Sequence, residues 1–172
     1  MSSIFFGRLI RLLVLLVFQV LVFNNIHLFG YATPLVIGYM LVCFHRNASR
    51  IHLLWWGFIT GFLFDLFSNT VGMASISCTL LAMMQPTLLN MFMPHDVAED
   101  FTPTFRTMGM WKYILYTFVM MLVLHTAFYL LDAFTLAYWP LTLLSDAVGS
   151  LATTIIIIMI ELLVRSNSRS KL

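Results

Sequence analysis

Charge is what this chain has least of. Of its 172 residues, 9% are Asp, Glu, Lys or Arg, against about a quarter in soluble globular proteins, and that scarcity excludes an ordinary soluble domain. Cysteine is scarce as well. Cys43 and Cys78 fall in two separate apolar runs at opposite-leaning depths, which argues against a disulfide and leaves two apolar thiols. Catalytic signatures are missing too: there is no glycine-rich phosphate loop, no H-E-x-x-H pair and no nucleophile elbow with triad partners. No enzyme is expected, and no cofactor, metal or nucleic-acid partner.

What the chain has instead is 61% hydrophobic residues and a mean hydropathy of +0.96, with apolar runs of the length that crosses a bilayer as helices. Six are read: 9–25, 28–44, 52–68, 71–92, 111–131 and 139–164. The expected fold class is all-α, a polytopic membrane protein forming one integral membrane domain over residues 1–172. The run 28–44 is the weakest, since about 17 residues rising about 1.5 Å each only just span the hydrocarbon core.

Basic residues test this count, because short cytoplasmic segments carry the excess of Lys and Arg. With the N-terminus inside, Arg8 and Arg11 precede or open helix 1, and Arg46 and Arg50 lie between helices 2 and 3. Arg106 and Lys112 lie between helices 4 and 5, and Arg165, Arg169 and Lys171 follow helix 6. The three outer connections hold none. Both termini are therefore expected in the cytoplasm, with the membrane crossed several times. The basic and apolar N-terminal segment also imitates a secretory signal, but Gly30-Tyr31-Ala32 is a poor cleavage site and its removal would invert the topology, so helix 1 is expected to stay.

Asp65 is the conspicuous polar residue, standing inside "GFITGFLFDLFSNTVGM" (Gly57 to Met73). A carboxylate in an apolar run needs a bonding partner or water. Gly57 and Gly61 stand at the four-residue spacing that lets helix backbones approach, and Asp65 continues their row. The preferred reading places Asp65 at the outer turn between helices 3 and 4, bonded by Ser68, Asn69 or Thr70 or capping the first amides of helix 4, with Gly72 allowing close approach. The alternative joins Asp65, Asp132 and Asp146 in a cation or proton path.

Other polar residues have plainer readings. Glu161 precedes Arg165 by four residues, the spacing of a helical ion pair at the inner interface. His125 is read as a neutral core imidazole with Thr126 and Tyr129 nearby, since no other histidine stands at metal-ligand spacing. Pro86 is expected to kink helix 4, with Gln85 taking up the freed backbone group. Trp55, Trp56, Trp111 and Trp139 flank spans as interfacial anchors do. In the longest connection, 93–110, Phe101, Phe105 and Met108 suggest a segment lying at the interface; a solvated loop is the simpler reading and a partner-docking segment the functional one. The basic tail "RSNSRSKL" favours anionic membrane lipid.

The stretch from Ala32 to Met73 resembles the bacterial rod shape-determining MreD family. The resemblance rests on Pro34, His45-Arg46, and the pattern Gly57-x-x-x-Gly61-x-x-x-Asp65-Leu66-x-Ser68 followed by Gly72, with a fainter echo at Gly149. Asn69-Thr70-Val71 departs from it, since a small or glycine residue is more usual near that turn. The resemblance implies a scaffold of the cell-elongation machinery, binding MreC and through it MreB filaments, RodA and a penicillin-binding transpeptidase, and so controlling lateral peptidoglycan synthesis. It also implies a fold similar to the substrate-binding subunits of energy-coupling-factor transporters. Gly57, Gly61, Asp65, Ser68 and Gly72 are then helix-packing or partner-interface candidates. The alternative function is a vitamin-transporter substrate-binding subunit, against which stand the short outer loops and the lack of Gly and Ala between Leu9 and Phe29.

Overall fold

Long apolar runs with few prolines fold as helices, because the helix satisfies their backbone N–H and C=O groups internally. In the computed structural model, residues 2–23, 34–70, 72–93, 101–133 and 139–169 are described, the side chains of 2–5, 133, 139–146 and 163–169 excepted. All regular structure among them is helical. The elements are α1 (Ser2–Leu21), a 3-10 turn (Val36–Gly38) running into α2 (Tyr39–Val42), α3 (Arg50–Ser68), α4 (Met73–Phe92), α5 (Phe105–Met108), α6 (Met110–Ala133) and α7 (Trp139–Arg169). Two stretches, Arg50–Ser68 and Met110–Asp132, are long and apolar enough to cross a membrane by length and composition, and Ala147–Leu162 is a shorter apolar stretch.

The segment expected as a helix over 28–44 is the main correction. Residues 28–33 lie outside the described residues, and the remainder is not one helix: Pro34 and Leu35 are irregular, and only a 3-10 turn and a single α-turn follow. Proline has no N–H and disfavours helical geometry in the residue before it. The backbone here is paired sideways instead. Gln19 Nε2 donates to the Pro34 carbonyl at 2.9 Å, and Gln19 Oε1 accepts from the Ile37 amide at 3.2 Å. The Leu35 amide donates to His125 Nε2 at 3.3 Å. At the other end Gln85 Nε2 donates to the Phe44 carbonyl and the Tyr116 hydroxyl to the Val42 carbonyl. Leu35, Val36, Ile37, Met40, Leu41 and Val42 are all buried, so this short segment is the axis of the bundle.

Around that axis α3 packs on α4, α4 on α6 and α6 on α7, while α1 packs on α3 and on the axis itself. The segment runs antiparallel to α1, since Pro34 meets Gln19 and the Phe44 ring lies 4.6 Å beneath the Arg8 guanidinium. That places Arg46 at the same end as Arg8. The Arg46 amide donates to the Phe101 carbonyl at 2.9 Å, bringing the connection after α4 to that end too.

Residues 101–108 are not a fully solvated loop, although Arg106 and Thr107 are exposed. Phe101, Phe105 and Met108 are buried, and Phe105 packs on Tyr113 with ring centroids 4.5 Å apart. A capping box holds α5: Thr104 accepts from the Thr107 amide while Thr107 Oγ1 accepts from the Thr104 amide. Two further expectations change. Trp56 is buried while Trp55 stays exposed, because neighbours on a helix point about 100° apart; Trp111 is exposed, and the Trp139 side chain lies outside the described residues. Pro86 lies inside α4 as expected, but Gln85 bonds Phe44 and Tyr116 rather than the backbone that Pro86 frees.

Candidate functional site

The row of small residues on α3 faces α4. A Cβ added at Gly57 would lie 2.7 Å from Ala82 Cβ and 2.8 Å from the Cys78 carbonyl oxygen, and one at Gly61 would lie 2.5 Å from Ser75 Cα. Both distances to backbone are far inside van der Waals contact, so the two helices meet backbone to backbone. Both glycines are buried. They are helix-packing residues covered by α4, not a surface open to a partner.

One turn further on, Asp65 bonds the start of α4. Its Oδ1 accepts from Thr70 Oγ1 at 2.7 Å and from the Ala74 amide at 3.0 Å; its Oδ2 accepts from the Ser75 amide at 2.8 Å and from Ser75 Oγ. The α4 amides in question are in the first turn, where no intrahelical acceptor exists and where the helix dipole favours negative charge. The Asp65 carbonyl meanwhile accepts from the amides of Asn69 and Thr70 and closes α3. A single residue thus ends one helix with its backbone and starts the next with its side chain.

Among the described residues of the turn between them, two have positive φ. Asn69 sits at φ 55°, ψ 32° and Gly72 at φ 76°. Asn is the side chain that best tolerates the left-handed region after glycine, so Asn69 fills the place where a glycine would be usual. Gly72 has no heavy atom within 4 Å of an added Cβ, so its role is conformation and not close approach. Ser68 does not reach Asp65: its hydroxyl oxygen is buried without a hydrogen-bond partner among the described residues.

Asp65 sits in a hollow of about 310 Å³ lined by Phe62, Leu66, Asn69, Thr70, Gly72 and Ser75. Its carboxylate offers about four lone-pair sites, and the four donors just named match them. That geometry suits a structural cap and leaves no oxygen lone pair for a passing cation. Asp132 is exposed, and the Asp146 side chain lies outside the described residues. Among the described residues no three His, Cys, Asp or Glu side chains come close enough together to hold a metal ion.

His125, fully buried on α6, joins the axis to the bundle. Its Nδ1 lies 2.8 Å from the Met121 carbonyl, so Nδ1 carries the hydrogen and Nε2 accepts from the Leu35 amide. The ring fits because Gly149 on α7 has no side chain: a Cβ there would lie 2.7 Å from His125 Cδ2. Thr126 turns away to bond the Leu122 carbonyl. Gln19 is the residue that sequence reasoning passed over. Its signal was present, a lone amide in "LLVLLVFQVLVF", where a polar side chain needs a buried partner.

Glu161 is nine-tenths buried. The expected pairing with Arg165 falls outside the described residues, because the Arg165 side chain does. Compared with family models, curated proteins and solved structures, the chain gives no match.

Proposed function

We propose that this protein is a multi-pass scaffold of the bacterial inner membrane, working in the cell-elongation complex as MreD-type proteins do. The observation that carries the membrane part is an apolar surface, with polar side chains turned inward among an apolar core. Gln19, Thr60, Gln85, Thr117, His125, Ser150 and Thr153 are buried, while Phe6, Val17, Leu21, Trp55, Phe62, Leu66, Met83, Trp111 and Ile155 are exposed. Such a surface suits lipid and partner helices, not water. In this reading six segments cross the bilayer, the central one as the irregular axis, and irregular backbone at that depth is tolerated because it is enclosed by protein.

The scaffold part is supported by the way Gly57, Gly61 and Asp65 act together. The resemblance singles out these positions, and in the fold they form one device that fixes the α3–α4 hairpin. Asp65, Gln19 and His125 are engaged in internal bonds, so what the bundle offers outward is apolar helix faces. A bitopic partner such as MreC would pack on such a face. The exposed stripe Ile51, Trp55, Phe58, Phe62 and Leu66 of α3 is the place to look, since Gly57 and Gly61 are covered.

Mass spectrometry of the tagged protein purified from gently solubilised native membranes tests this. Recovery of a bitopic MreC-like protein with elongation enzymes, and crosslinks to it from Phe58 or Phe62 positions, is expected. Recovery of transporter ATPases or a stoichiometric vitamin would withdraw the scaffold and make the chain a transport subunit.

A further inference from the structure

The end of the bundle opposite Asp65 holds a cavity of about 440 Å³ that the scaffold reading leaves unused. Its wall is charged. Arg8 and Arg11 line it from α1, Tyr39 and Cys43 from the axis, His45 and the 102–104 connection from the loops, and Glu161 from α7. Arg8 and Arg11 are three residues apart, so their side chains share a helix face. The Arg8 guanidinium is pinned over the Phe44 ring at 4.6 Å, a cation–π contact that fixes its position. Partial burial and the like charge of Arg11 both hold Arg8 below its ordinary pKa, in that order.

Two guanidiniums face one carboxylate in this cavity, a surplus of one positive charge. His45 Nδ1 is buried with no hydrogen-bond partner among the described residues. Paired guanidinium forks are the side chains best suited to phosphate oxygens. The buried Glu161 carboxylate limits how much negative charge the cavity accepts, which favours a singly charged diester over a monoester carrying about −1.5 to −2.

We propose that this cavity binds a phosphodiester, with Arg8 and Arg11 holding its oxygens, His45 adding a hydrogen-bonding group and Glu161 setting the charge. A phospholipid headgroup and a soluble phosphodiester share that chemistry. The lipid source rests on the membrane reading above, whereas the site itself does not.

The test is binding to the purified full-length protein in nonionic detergent, read by native mass spectrometry. The probes are phosphatidylglycerol, diacylglycerol, soluble glycerophosphoglycerol and phosphatidic acid. Phosphatidylglycerol should bind, and Arg11→Gln or Arg8→Gln should weaken it about tenfold, while Arg106→Gln, an exposed arginine outside the cavity, should leave it within about twofold. Glu161→Gln should strengthen phosphatidic acid about threefold or more, a gain that an unfolded variant cannot produce. Competition by glycerophosphoglycerol assigns the site to soluble diesters, and its failure to compete assigns it to lipid. Equal weakening by all three arginine variants, equal binding of diacylglycerol, or no phosphodiester binding would overturn the site. None of these outcomes depends on which proteins co-purify, so loss of the site and loss of the scaffold are read separately.

Discussion

The turn between α3 and α4 and the irregular axis at 34–44 present the same physical problem, buried backbone amides that no helix can pair, and they answer it with different chemistry. At the turn a carboxylate nine and ten residues away in sequence takes the Ala74 and Ser75 amides. At the axis neutral groups do the work, Gln19 from 18 residues away and His125 from 90. The carboxylate stands where the helix dipole supports its charge; the Leu35 and Ile37 amides are buried in the bundle, where neutral donors and acceptors cost least. Charge is used at the end of the bundle and amide and imidazole groups within it.

The glycines sharpen this comparison most. Gly61→Ala drives a methyl into the backbone of Ala74 and Ser75, which cannot yield without separating α3 from α4, and is expected to cost about 3 kcal/mol. Gly38→Ala on the axis meets only the mobile ends of Leu124 and Met121. It should cost about 1 kcal/mol or less. Thermal unfolding of both variants in one detergent gives the ordering, and equal shifts would mean that the hairpin is not backbone-limited.

Next in size is the cap itself. Asp65→Ala leaves two first-turn amides of α4 without acceptors and should destabilise by about 2–3 kcal/mol. Hydrogen exchange at Ala74 and Ser75 should quicken before the rest of α4 does. Uniform loss of protection along the helix would argue that Asp65 acts globally instead.

Legibility in the sequence follows the same division. The starts and ends of α3, α4 and α6 lie within two residues of the runs 52–68, 71–92 and 111–131, because length and hydropathy mark a helix directly. Gly57, Gly61 and Asp65 were legible because their spacing on one helix shows which residues share a face. The axis was not, since its partners are remote and a run that is apolar throughout looks alike as helix or as buried irregular chain. Trp56, Phe101 and Phe105 were misplaced for a related reason. On a surface that is itself apolar, hydropathy does not distinguish a side chain facing the core from one facing outward.

Gln19→Leu tests the neutral clamp at the axis. It leaves the Ile37 amide and one bond of the Pro34 carbonyl unmade while keeping the side-chain volume nearly constant, and about 1–2 kcal/mol should be lost. Gln19→Glu keeps the acceptor for Ile37 and removes the donor to Pro34. If the axis tolerates only neutral groups, the Glu variant should be less stable than the Leu variant; the opposite order would remove the distinction drawn between the two regions.

The smallest effect belongs to Asn69, where the turn meets a backbone preference alone. At φ 55° and ψ 32° an alanine is strained by about 1 kcal/mol relative to asparagine or glycine, while glycine enters the left-handed region freely but loosens the unfolded chain. Asn69→Ala should therefore lower the unfolding midpoint modestly, and Asn69→Gly should leave it nearly unchanged. Combining Asn69→Ala with Asp65→Ala should cost less than the sum, because the turn geometry that Asn69 supplies matters only while the carboxylate holds the far side. Strict additivity would show that the turn and the cap are independent devices that happen to adjoin in the chain.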